Sequence, residues 1–163
     1  MSLVSDSDYE FSFDFIQDKT LRQSLAADFA EMLTAYEHGA WKATMVLGGS
    51  IVEALMLDHL ISEEKLTAEE ASTKQFEDLI KLARKEKLIS DRVKEQAFLV
   101  KLYRNHIHAG RVLRTEQPCD VHSAVTTVAL VKMSIEEIAT ARILSYGLTA
   151  EQFCKKVTED PKN

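Results

Sequence analysis

The chain has 163 residues, 45% of them apolar and 28% charged, with a net charge of −6. That size suits one domain with a core of its own, and the negative balance argues against strong nonspecific binding to nucleic acid. Two prolines and five glycines favour long helices over a loop-rich β fold. Cys119 and Cys154 fall in no CxxC or Cys/His spacing, so both read as free thiols, with no metal site and no cofactor expected.

In chain order, residues 1–17 alternate aromatic and polar side chains, with Tyr9, Phe11, Phe13 and Phe15 on one edge. Period two predicts an extended N-terminal arm lying in a groove of its own bundle or of a second copy. A first helix is expected from Asp18, an N-cap residue, to His38, stopped by Gly39, with Leu21, Leu25, Phe29, Met32, Leu33 and Tyr36 as its buried stripe. The next, Trp41 to Leu60, is apolar on most sides and so central. Gly48-Gly49 at its middle implies close approach of another element. Asp58-His59 reads as the cap of that helix. Residues 62–73 form a polar connection with a helical turn after Thr67.

A third helix is predicted over Lys74 to Leu88. A fourth is capped by Ser90 and carries Val93, Ala97, Val100 and Ile107 on one side, with Gly110 ending or bending it. Arg111 to Asp120, with Pro118, reads as a loop. The last long helix spans Val121 to Tyr146, with Val121, Val125, Val128, Ile135 and Ile138 expected inward and Gly147 as its stop. Residues 148–163 then form a short helix and tail. The expected architecture is all-α: an up-and-down bundle of about five helices over 18–147, preceded by the arm. No run of about 18 apolar residues predicts a membrane span, and no leader-like start is seen, so the cytoplasm is the default.

The richest chemistry lies in Tyr103-Arg104-Asn105-His106-Ile107-His108-Ala109-Gly110-Arg111. Arg104 and His108 are one helical turn apart on one face, with Asn105 able to share it and His106 opposite. A guanidinium clamps a phosphate and an imidazole moves a proton near neutral pH. Cleavage of RNA needs little else, and no metal. The same residues equally suit a structural ion pair and the free carbonyls of a helix end. Around them, residues 73–114 carry eleven Lys and Arg against five Asp and Glu, +6, while the remainder carries nine against 21, −12. This local basic stretch makes Lys101 and Arg111 candidate phosphate contacts. Glu53, inside the apolar run from Met45 to Leu57, is expected to be buried and to pair with Arg104 or His108.

The Arg104-Asn105-x-x-His108 stretch with Gly110-Arg111, the helix Gly48-Gly49-Ser50-Ile51-Val52-Glu53-Ala54-Leu55 and the helix order together resemble the HEPN superfamily (higher eukaryotes and prokaryotes nucleotide-binding domain) over about residues 18 to 146. The resemblance implies a helical bundle that dimerises and brings two Arg/His motifs together across a cleft. In catalytic members, which are metal-independent ribonucleases and often toxins or defence effectors, Arg104 would steady the phosphate, Asn105 position it and His108 act as acid and base. Other members are noncatalytic binding modules. The gap between Arg104 and His108 is shorter than the family's nuclease motif usually has. RNA, a second copy and a protein partner such as an antitoxin are the partners so implied.

Overall fold

A computed structural model describes residues 12–105, 119–145, 147 and 152, with the backbone alone for 103–105. The described residues form an all-helical bundle: α1 Lys19–Glu37, α2 Trp41–Ser62, α3 Ala68–Ala71, α4 Phe76–Lys85, α5 Asp91–Asn105 and α6 Val121–Ser145. Asp18 accepts the Leu21 N–H at 2.7 Å and starts α1. Gly39 (φ +73°) ends it, and the Ala40 N–H returns to the Ala35 carbonyl at 2.8 Å. Thr67 and Glu70 close a capping box on α3, and Ser90 Oγ accepts the Val93 N–H to begin α5. Similar chain-reversing ends follow α2 and α4, but there Glu64 (φ 55°) and Lys87 (φ 60°) take the left-handed position.

α2 packs against α1, α4, α5 and α6. Its buried residues, among them Met45, Ile51, Val52, Leu55, Met56 and Leu60, cover about half of the helix circumference, a broader face than a single stripe. Among the described residues it is also the one helix long and apolar enough to cross a bilayer. More than half of that stretch is buried inside the bundle, as in the core helix of a soluble domain. α1 runs antiparallel to α2, since Met32 lies near Gly48. α4 and α5 are antiparallel, since Arg84 meets Asp91 and Glu77 meets Lys101. α2 and α6 run side by side in the same direction: Gly48 faces Thr127, and Asp58 and Ser62 face Arg142.

Gly48 has the tight fit that its place in the helix implies. A Cβ there would lie 2.3 Å from Thr127 Cγ2 and 3.2 Å from Met32 Sδ. This contact corrects the expected face of α6. Val121 and Val125 are 39% and 45% exposed, whereas Ser123, Ala124, Thr127, Leu130, Val131 and Ser134 are buried. Small side chains have to face α2 at the glycine, which turns the larger valines outward. Further along, Ile135 and Ile138 are buried as expected and Val128 partly so.

The arm also differs from a plain extended strand. Phe13, Phe15 and Ile16 are buried in the core of this same chain, and the Ile16 N–H bonds the Phe13 carbonyl at 2.9 Å across a turn at Asp14 and Phe15. Phe13 meets Phe29 edge-on at 5.9 Å. Period two sets Phe13 and Phe15 on one side, and the turn brings Ile16 in beside them. Residues 1–11, Gly110, Pro118 and the 153–163 tail lie outside the described residues.

Candidate functional site

α5 carries the first half of the Arg/His segment. Its inward residues Val93, Ala97 and Val100 are at most 1% exposed. Arg104 follows them at helical spacing in the last turn, beside Asn105. His106, His108 and Arg111 lie outside the described residues. Glu53 is half-buried on α2, less enclosed than its apolar neighbours suggest.

Part of the surrounding basic charge is neutralised locally. Lys101 Nζ bonds Glu77 Oε2, and Lys81 bonds the other oxygen of the same carboxylate at 2.6 Å. Hydrogen bonds from Lys101 and then Lys81 pull the Glu77 carboxyl down to about 2. Arg84 grips Asp91 through two bonds, Nε to Oδ1 at 2.6 Å and Nη2 to Oδ2 at 2.8 Å, and Lys65 sits 3.7 Å from Glu86. Lys101 is therefore paired with Glu77.

A second polar cluster is buried, and the sequence did not announce it. Arg142 of α6 is 3% exposed. It donates from Nη1 to the Phe15 carbonyl (2.9 Å), and from Nη2 to the Asp58 carbonyl (3.1 Å), Asp58 Oδ2 (2.5 Å) and Ser62 Oγ (2.8 Å). Its guanidinium carbon lies 6.0 Å from the centre of the Phe15 ring. Burial raises the Asp58 carboxyl above its ordinary value despite the opposing pull of Arg142. Asp58 and His59 thus do not cap α2, which continues to Ser62. Asp58 instead receives an arginine 84 positions away, and its neighbour is sealed in.

His59 is 1% exposed, with no hydrogen-bond partner at either ring nitrogen. Burial, then the positive charge of Arg142, lowers its pKa from 6.5 to about 4. The Leu88 backbone and the charge of Glu137 favour the charged ring but are outweighed. The imidazole is therefore neutral near pH 7. Glu137 Oε1 instead accepts the Ser90 N–H at 3.2 Å, tying α6 to the start of α5.

At the opposite end of α2, Glu31, Gly39, Ala40, Trp41, Lys42, Ala43, Val46, Leu47 and Cys119 line a groove of about 680 Å³. Cys119 is a free thiol. Among the described residues, no three His, Cys, Asp or Glu side chains come together as a metal site. Neither protein-family models, nor curated proteins, nor solved structures gave a match to this chain.

Proposed function

We propose that this chain is a HEPN-like helical module that engages RNA at the end of α5, acting in the cytoplasm as a homodimer of the toxin or defence type. In this reading Arg104 binds the scissile phosphate, Asn105 orients it, and His108 transfers protons in a metal-independent cleavage. One observation carries it: α2, with the Gly48–Leu55 segment and Glu53, packs directly on α5, whose last turn bears Arg104 and Asn105. Those are the two halves of the resemblance. The tight Gly48 contact with α6 gives that glycine a packing role.

The test is cleavage of varied RNAs by the purified chain in excess chelator. Wild type is expected to cut. His108→Ala is expected to lose about 10²–10⁴-fold in rate while keeping its fold, the usual contribution of a general acid–base. RNA left intact by wild type overturns the catalytic reading.

A second reading is a noncatalytic interaction module, and the ion pairs of Lys81, Arg84 and Lys101 favour it, since they consume charge that a phosphate would need. There Arg104 is structural, paired with Glu53, and Arg104→Ala lowers stability by about 3–5 kcal/mol with no RNA phenotype.

A further inference from the structure

We infer that the outer face of α2 is the surface on which a second copy of this chain docks, antiparallel and two-fold related, so that Ile61 of each copy enters the groove beside Trp41 of the other. α2 is apolar enough to cross a bilayer, yet only 56% of that stretch is buried. Much of the remainder faces outward as one strip. Ala43, Val46, Ser50, Ala54, Leu57 and Ile61 recur at helical spacing, and each is half-buried or exposed. Ser50 is the one polar side chain among those six, whereas a helix face turned to water carries mostly polar and charged residues. Glu53 and Asp58 stand at the two borders of the strip, and Asp58 is committed to Arg142.

The two ends of the strip differ in shape. Ala43 and Val46 belong to the wall of the groove of about 680 Å³, together with Trp41, Leu47 and Cys119. Ile61 lies five turns further along α2, on the same side of the helix as Ala43 and about 27 Å away. It is 38% exposed. One end is thus a recess and the other a knob. A two-fold axis through the middle of the strip brings them together: Ala43 falls opposite Ile61, Val46 opposite Leu57, and Ser50 opposite Ala54. Small residues meet at the crossing, which lets the two helices approach closely, while the larger ones meet the recess. Such a contact uses the same patch on both copies and closes at two.

Charge agrees with this direction of pairing. Lys42 and Glu31 stand at the groove. Glu63, Glu64 and Lys65 follow Ile61 in the chain and arrive with it over the other copy's groove. Lys42 then meets Glu63 and Glu64, and Glu31 meets Lys65, across the interface. A parallel pairing would set Lys42 against Lys42 and Ile61 against Ile61. The inference rests on the homodimer of the reading above and goes beyond it. α6 runs with α2, and Ser90 at the start of α5 bonds Glu137 late in α6, so α5 runs opposite to α2. The two α5 ends therefore stand on opposite sides of the axis, not in one cleft.

Cysteine linking on the whole chain tests it, in a Cys154→Ser background. Under mild oxidation Ile61→Cys is expected to give a disulfide-linked dimer through Cys119, a free thiol in the groove. The link should vanish in Ile61→Cys/Cys119→Ser, and Leu144→Cys, at a 71% exposed site on α6, should stay unlinked. Sedimentation at micromolar concentration should show a wild-type dimer, weakened at least about 30-fold by Ala54→Arg at the crossing. Should Ala54→Arg not fold, Ile61→Arg makes the same test at an exposed position. A wild-type dimer that survives both substitutions and gives no link between Ile61→Cys and Cys119 overturns the inference and leaves the homodimer standing. A monomeric wild type overturns both, and neither readout depends on RNA cleavage.

Discussion

Replacing Gly48 by alanine sets two opposing effects against each other at one atom. In a helix interior alanine is favoured over glycine by about 1 kcal/mol. Here, however, the new methyl would lie 2.3 Å from Thr127 Cγ2, well inside the roughly 3.5–4.0 Å at which carbon atoms rest. Thr127 cannot turn aside freely, because its hydroxyl bonds the Ser123 carbonyl at 2.8 Å and fixes the rotamer. Met32 Sδ at 3.2 Å is the more yielding neighbour. Overpacking costs about 1–3 kcal/mol, and a contact this short falls in the upper half of that range, so Gly48→Ala should be net destabilising by about 1–2 kcal/mol. Thr127→Ser removes the clashing methyl and keeps the hydroxyl, at a cost of about 1 kcal/mol for one buried carbon. The double variant then fills the space with the alanine methyl and should lie within about 0.5 kcal/mol of wild type. Urea unfolding of the four proteins measures the coupling, expected at about 2 kcal/mol or more. Strict additivity of the two single changes would refute the close α2–α6 approach.

Arg142→Met should cost about 3–5 kcal/mol, because Asp58, Ser62 and the Phe15 carbonyl lose their donor inside the bundle. Thermal unfolding should drop by on the order of 10 °C, and pairing the change with Asp58→Leu should recover part of it. A loss under about 1 kcal/mol would show that the cluster relaxes to water. Lys87→Gly and Glu64→Gly should each stabilise by about 0.5–1 kcal/mol, since both residues are exposed and hold a left-handed backbone that glycine adopts without strain. Chemical denaturation reads this directly, and a decrease for both would mean that those side chains make contacts worth more than the strain. Analytical ultracentrifugation should find two copies of the chain together at micromolar concentration, and a monomer there removes the shared-cleft form of the RNA reading.

Helical periodicity and capping residues made most of the fold readable before any coordinates. Asp18, Gly39, Thr67 with Glu70, and Ser90 each satisfy a local need of a helix end, and local needs are visible in a local string. Arg142 was invisible for the opposite reason. Its ligands lie at positions 15, 58 and 62, and nothing near Thr140 or Ile143 distinguishes it from a solvated charge. Asp58-His59 was misread likewise, because a polar pair near the end of an apolar run resembles a cap until an arginine from elsewhere claims the carboxylate. Val121 and Val125 misled through size. Hydrophobicity alone put them inward, but the glycine in α2 reserves that face of α6 for serine, alanine and threonine. Of the candidate site, Lys101 met an unforeseen acidic neighbour in Glu77, which stands 24 positions earlier.

The grip of Arg142 on the Phe15 carbonyl joins positions 127 apart in the chain. During synthesis Phe13, Phe15 and Ile16 leave the ribosome long before the guanidinium that secures them, which lies 127 positions after Phe15. Until then these apolar side chains lack their anchor and remain open to chaperones or to neighbouring nascent chains. A stop codon shortly before position 142 should therefore yield a product that is insoluble, rather than a slightly shortened bundle.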